Sequence, residues 1–491
     1  MRPCAIRIRM DASGDSGRSH GHVGWRWLCS VSLLTALVSC ASGRPWGATR
    51  KDGDVQAVGH KAPARWAAAP KISTSAATGW LDDFGSPKLT QLVNQAMAQN
   101  PDLRATAAKV DQARAQARIA GADLWPQVAA DFGGRRNQSA SGQRFVGVGQ
   151  RSNRFELGAD VSWELDFWGR VRDQRQAARS DADASAEDLH AARLSLAANV
   201  VKSAVTLAET RAQVSLAEEN VKTRRTHLQI LERQMERGLD ADRAALDVSL
   251  SRADLARAEE TFASRKRQAD EARRTLELFL GAYPAGKEGG VTALPEVKRN
   301  VPAGLPSEIL LRRPDLRAAE RRLDASIHEE SAAKKAFLPS INLTGGTGFS
   351  TEDLSFLIDP NSVVWNVAGG IAQRIFEGGR IKANVDLARA RYDEDLALYA
   401  SVVSIAFKEV ETALAAEGFL KEQEAALERA SVEAARSVKL AAGQYERGLT
   451  DILTLLDSQQ RSFDARSSLT SVKAQRLRNR ADLHLALGGD F

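Results

Sequence analysis

The sequence predicts a mainly α-helical chain with a membrane β-barrel portion, built from one helix–strand–strand–long helix–helix unit that occurs twice. Three observations predict it. From Arg170 to Arg237 there are 68 residues with neither glycine nor proline, and 380–442 is similar apart from Gly418. Residues Phe155 to Phe167 alternate strictly between apolar and polar side chains. Short motifs recur in the same order at a separation near 210 residues.

At 491 residues, with 43% hydrophobic and 26% charged residues, the chain has the composition of a folded protein. Its pI of 9.2 suggests a basic partner. The excess charge is local, however: residues 1–40 carry about +3 and 41–79 about +4, which leaves about −1 for the rest. A nucleic-acid footprint needs a basic face on the folded body, so no nucleic-acid partner is expected.

The N-terminus reads as an address. Arginines precede an apolar run from Trp27 to Val38, about 12 residues, which is too short to span a bilayer and right for a signal-peptide core. Leu37-Val38-Ser39-Cys40 then resembles a lipobox, which makes 1–39 a lipoprotein signal peptide and Cys40 the acylated first mature residue. Lipid on Cys40 would supply membrane affinity at about 0.8 kcal/mol per buried methylene. The other cysteines, Cys4 and Cys29, fall within the signal, so no disulfide framework is expected. Residues 40–79, rich in Ala, Gly, Pro and basic groups, read as a lipidated tether.

Two structural repeats follow, 80–290 and 291–491. Asn100-Pro101-Asp102-Leu103-Arg104-Ala105 recurs as Arg313-Pro314-Asp315-Leu316-Arg317-Ala318, and a proline follows 25 positions after each, at Pro126 and Pro339. Gly169-Arg170 recurs as Gly379-Arg380, Glu236-Arg237-Gly238-Leu239 as Glu446-Arg447-Gly448-Leu449, and Leu246-Asp247 as Leu456-Asp457. Between the paired prolines lie helices over about 102–124 and 315–337, which the second proline of each pair ends.

The strands are expected over 127–134, 154–167, 339–349 and 363–377. In the second, Phe155, Leu157, Ala159, Val161, Trp163, Leu165 and Phe167 form one face, and the other carries Glu156, Asp160, Glu164 and Asp166. The long helices span 170–237 and 380–442, a 68-residue helix being about 100 Å long. Gly238 and Gly448 turn the chain into return helices over 241–280 and 450–487. Four strands cannot close an outer-membrane barrel, because an open edge in lipid leaves backbone groups unsatisfied. Several chains must share one, with the carboxylates of the second strand facing its lumen.

These motifs, with Trp80…Phe84…Pro87, Trp163-Glu164-Leu165-Asp166-Phe167-Trp168-Gly169-Arg170, Leu453-Thr454-Leu455-Leu456-Asp457 and Leu485-Ala486-Leu487-Gly488-Gly489, span nearly the whole body. Together they resemble the TolC-like outer-membrane efflux family, and within it the OprM-like and NodT-like lipoproteins. The resemblance implies a homotrimer with a 12-stranded barrel in outer-membrane lipid above an α-helical barrel. It also implies docking to a periplasmic adaptor (a membrane fusion protein) and an inner-membrane pump of the resistance-nodulation-division class. By the same resemblance, Leu453, Asp457 and Tyr445 belong to the periplasmic aperture. The tips Arg237, Gly238, Leu239, Arg447, Gly448 and Leu449 face the adaptor. Thr454 stands where TolC has a further gate aspartate, which departs from a double acidic ring. Asp457 also reads as an ordinary solvated helix carboxylate, and the tip glycines as ordinary caps.

No enzyme is expected. Gly281 to Glu288 approaches a P-loop, but Glu288 replaces the Ser/Thr that holds magnesium, and the segment follows a helix. The seven histidines show no metal-ligand spacing within a shared helix, so neither metal nor other cofactor is expected beyond the lipid on Cys40. The leading function is an exit duct for drugs or metals. A type I secretion duct or a non-conducting coiled-coil lipoprotein scaffold are the alternatives.

Overall fold

The computed structural model describes residues 66–68, 79–139, 150–236, 241–297 and 309–489. The signal peptide, Cys40, and the tip residues Arg237, Gly238 and Leu239 lie outside them.

The first copy runs α1 (Pro87–Gln99), α2 (Pro101–Ala122), β1 (Gln127–Ser139), β2 (Gln150–Leu165), α3 (Arg170–Glu236) and α4 (Ala241–Phe279). The second runs α5 (Pro314–Lys335), β3 (Ser340–Thr351), β4 (Val363–Ala372), α6 (Arg380–Tyr445) and α7 (Ile452–Ala486). α1, which precedes the repeated motif, is matched among the described residues of the second copy by a single helical turn, Ile309–Arg312.

The recurring Pro-Asp-Leu motif ties each copy's short helix to the end of its return helix. Asn100 Oδ1 accepts from the Leu103 N–H at 3.0 Å, capping α2, while its Nδ2 donates to the Phe279 carbonyl at 3.0 Å. Pro101 sits at the first helical position, where no N–H is missed. Gly281 makes this approach possible, since a Cβ there would lie 2.5 Å from the Gln99 carbonyl oxygen. In the second copy a guanidinium does the same work. Arg313 Nη1 donates to the Ala486 carbonyl at 3.0 Å and pairs with Glu409 at 2.7 Å, while Nη2 holds Asp315.

The strands form one antiparallel sheet in the order β1-β2-β3-β4. Register aligns the apolar positions into rows across all four strands, as in Phe132–Leu157–Phe349–Val363. The opposite face carries Ala129–Asp160–Gly346–Asn366, with Gly346 leaving room for the Asp160 carboxylate.

The two hairpins are superimposable in register. The repeat offset is 213 residues before the hairpin, from Pro126 to Pro339, and 210 after it, from Gly169 to Gly379. Applied to the pair Gln127↔Ser162, it gives Ser340↔Ala372, which is the observed pair. Among the described residues, β1 and β4 each have one edge without a partner strand.

The helices continue the sheet order. α2 packs on α3, α3 on α5 and α5 on α6. Further from the sheet, α4 packs on α3, α3 on α7 and α7 on α6. Alanine, valine and leucine of α1, α3, α4 and α7 make the main core. Ion pairs across helix boundaries flank it, among them Arg478–Glu209 at 2.6 Å and Arg476–Glu424 at 2.7 Å.

Some element ends differ from the sequence reading. β1 reaches Ser139 because Gly133 and Gly134 blur the alternation without ending the ladder. β4 stops at Ala372 instead of 377, before left-handed glycines at Gly378 and Gly379. Part of the tether is docked: Trp66 is buried edge-on to Phe407, and the Ala67 and Ala68 N–H groups donate to the two Glu411 oxygens at 2.7 and 2.9 Å.

Candidate functional site

Two regions collect the chemistry-bearing residues: the polar face of the sheet, and the helix ends furthest from it.

On β2, Glu156, Asp160 and Glu164 share the face opposite the apolar rows. Glu156 pairs with Arg154 at 2.7 Å, and Glu164 accepts from Arg170 Nη2 through both oxygens at 2.7 and 2.9 Å. Asp166 corrects the sequence reading, because β2 ends at Leu165 and Asp166 does not line that face. Its oxygens instead accept from the Val171 N–H at 3.0 Å and the Arg172 N–H at 2.9 Å, satisfying orphan donors in the first turn of α3. Burial raises its carboxyl, but these N–H groups and the Arg172 guanidinium outweigh that and hold it below the usual aspartate range. Phe167, expected on the apolar face, also lies in this turn, edge-on to Trp168.

At the far end, α6 closes at Tyr445 and the chain turns through Gly448, whose φ of 72° is left-handed. Asp451 then caps α7, accepting from the Thr454 N–H at 2.9 Å. Leu453 and Asp457 lie one turn apart on an exposed face of α7, and Asp457 pairs with Arg461 at 2.8 Å. Arg447 and Leu449 are exposed at the turn.

Tyr445 points inward, and its hydroxyl donates to Asp247 Oδ2 on α4 at 3.3 Å. His227 of α3 lies 5.7 Å from the Tyr445 ring, and burial pushes its imidazole below the usual histidine range. Deeper still, Arg224 bonds Asn220 and Gln460 and pairs with Asp254, joining α3, α4 and α7. Leu228, Leu231, Val248, Ala441, Ile452 and Leu455 pack around this network. His227 and Arg224 were not singled out as site residues from the sequence. The available signal was their position: the corresponding second-copy residues are Ser437 and Ala434, so the pair breaks the repeat.

The P-loop-like segment is filled from within. The N–H groups of Gly286, Lys287 and Glu288 all donate to the Glu277 carboxylate, at 2.7, 2.6 and 2.9 Å. The loop does cradle an anion, but that anion is the Glu277 carboxylate at the end of α4. Among the described residues no group of His, Cys, Asp and Glu is placed to hold a metal, and no helix is long and apolar enough to cross a membrane.

A family model described as outer membrane efflux protein matches residues 92–282 and 305–489. The chain is 33% identical over 416 residues to the cation efflux system protein CusC of Escherichia coli, covering 84% of this chain and 88% of that one. It is 34% identical over 421 residues to the outer membrane protein OprJ of Pseudomonas aeruginosa, covering 84% and 86%. Among solved structures, the outer-membrane channel OprN superimposes with a TM-score of 0.81 at 28% identity, covering 88% of this chain and 98% of that one. A CusC structure superimposes at 0.77 and 31% identity, covering 88% and 98%.

Proposed function

Because the chain belongs to the outer membrane efflux protein family, we propose that it is the exit duct of a tripartite efflux pump, a homotrimer gated at its periplasmic helix ends. It is an outer-membrane protein of TolC-like fold. The finer reading covers copy number, gate, anchor and partners.

The unpartnered edges of β1 and β4 carry the trimer reading. A lipid-exposed edge leaves N–H and C=O groups without partners, so the sheet has to close. Three copies of four strands give twelve, enough for a water-filled bore. Repeat symmetry supplies the closing register: Glu156↔Ser350 between β2 and β3 maps onto Asn366 of β4 against Asn137 of a neighbour's β1. The neighbour's Phe132 then falls beside Ile371, which keeps the apolar face continuous. Glu156, Asp160 and Glu164 line the bore.

The gate is assigned to Tyr445, Asp247, Leu453 and Asp457. The Tyr445–Asp247 bond holds the end of α6 against α4, joining the α6–α7 helix pair to the α3–α4 pair. Three copies of Leu453 and Asp457 narrow the passage, and a ring of carboxylates there favours cations. Arg237, Gly238, Leu239, Arg447, Gly448 and Leu449 form the tip offered to a periplasmic adaptor, which joins the duct to an inner-membrane resistance-nodulation-division pump. Acylation at Cys40 anchors the chain. The cargo is a small toxic compound, drug or metal ion.

Planar-bilayer recording on the purified protein tests this reading. Discrete channels that grow in conductance when the Tyr445–Asp247 bond is removed are expected. Silence from both forms after verified insertion would overturn it.

A further inference from the structure

Beneath the barrel, the groove between α2 and α3 is lined by four arginines: Arg114 and Arg118 on α2, Arg175 and Arg179 on α3. It encloses about 570 Å³, and Gly121, Trp125 and a single carboxylate, Asp183, also line it. Among the described residues, Arg114 has only the exposed Asp111, at 3.7 Å. Among the described residues, Arg118, Arg175 and Arg179 have no ion-pair partner. Other arginines between packed helices are neutralised, as Arg478 is by Glu209 and Arg476 by Glu424.

The fold does not demand these charges. The corresponding positions of the second copy are Ile327, Ser331, Val385 and Arg389, so three of the four guanidiniums belong to the first copy alone. Gly121 is equally particular. Glycine weakens a helix interior, yet here it lets Arg175 lie across α2, since a Cβ would meet Arg175 Nε at 3.3 Å. The second copy has Lys334 there.

Depth selects the ligand. Trp125 stands two residues before β1, and Arg175 is five residues into α3, about 8 Å from that helix's start. The polar layer of a bilayer extends roughly 5–8 Å beyond the hydrocarbon. Trp163, on the apolar face of β2, donates to the Leu124 carbonyl at 3.0 Å and so sets the α2–β1 turn at this level.

We propose that the α2–α3 groove binds a phosphate group, the chemistry that converging guanidiniums recognise, and that its source is an anionic lipid headgroup. This goes beyond the duct reading and does not depend on conductance.

Native mass spectrometry of the full-length protein tests it, with phosphatidylglycerol or phosphatidylcholine added to the detergent. Wild type retains phosphatidylglycerol at least tenfold better, and Arg118→Gln with Arg175→Gln removes that excess. The Arg118→Lys/Arg175→Lys pair retains part of it. Displacement by millimolar inorganic phosphate assigns the groove to the bare phosphate group, and resistance to displacement assigns it to the lipid. Should the double glutamine variant fail to assemble, Arg179→Gln, at an exposed position, lowers the excess several-fold. Equal retention of the two lipids by wild type, or an unchanged excess in an assembled glutamine variant, overturns the proposal.

Discussion

The Tyr445 hydroxyl reaches Asp247 Oδ2 at 3.3 Å, joining the last residue of one long helix to the return helix of the other copy. Repeat symmetry does not reproduce this link. The residue corresponding to Tyr445 in the first copy is Met235, which has no hydroxyl to give.

A hydrogen bond to a charged group contributes about 1.5–3 kcal/mol, and this one is long, so the lower end applies. Tyr445→Phe should therefore raise the open population of the channel about tenfold. Single-channel recording at fixed voltage measures it, and Asp247→Asn should shift the same way by less. Unchanged opening in both would remove Tyr445 from the gate.

Closure of the sheet predicts a specific cross-link. Asn137→Cys with Asn366→Cys places two thiols directly opposite on neighbouring strands, where Cβ atoms are about 4.5–5.5 Å apart. Oxidation should give covalent dimers and trimers on a non-reducing gel. Asn137→Cys with Gly370→Cys, four residues out of register, should stay monomeric. The reverse result would show that the repeat does not set the interface.

Asp166→Ala removes the cap of α3 and should cost about 1–2 kcal/mol, read as a lower unfolding temperature at neutral pH. Folding holds this carboxyl below its ordinary value. Its stabilisation is therefore complete above the unfolded-state value and lost as acid carries the solution through the folded one. Wild type and variant should converge only once the pH has fallen through the depressed folded-state value, below the ordinary aspartate range.

Trp66→Ala empties a buried site against Phe407, beside the backbone bonds of Ala67 and Ala68 to Glu411. A truncation of this kind costs about 3–5 kcal/mol, more than a short docked segment can absorb. Trypsin should then cut after Arg65 much faster than in wild type, while the helical signal stays unchanged. Equal cleavage rates would mean that Trp66 does not fasten the segment.

Much of the body was legible because its periodicities are long and its punctuation is strong. The helix from Arg170 to Glu236 follows from sixty-odd residues without glycine or proline, and Gly448 turns the chain where expected. Asp166 was misplaced because alternation is a pattern of side chains. It runs on to Phe167, whereas the ladder ends where α3 needs its first N–H groups satisfied. Trp66 was hidden by its neighbours, since alanine and proline on either side read as linker and nothing local announces Phe407. The network of His227, Arg224 and Asp254 spans α3 and α4, and no spacing along one helix encodes it.

The two strand margins that have no partner among the described residues also govern how this protein can enter a bilayer. A lone copy pushed into hydrocarbon would expose a row of peptide dipoles on each flank, with no water to receive them. If the proposed ring closes the sheet, insertion and association form one thermodynamic step, and the membrane admits a finished ring or nothing. Copies awaiting their sisters must be held in water, shielded along the same β1 and β4 margins that will later seal the wall.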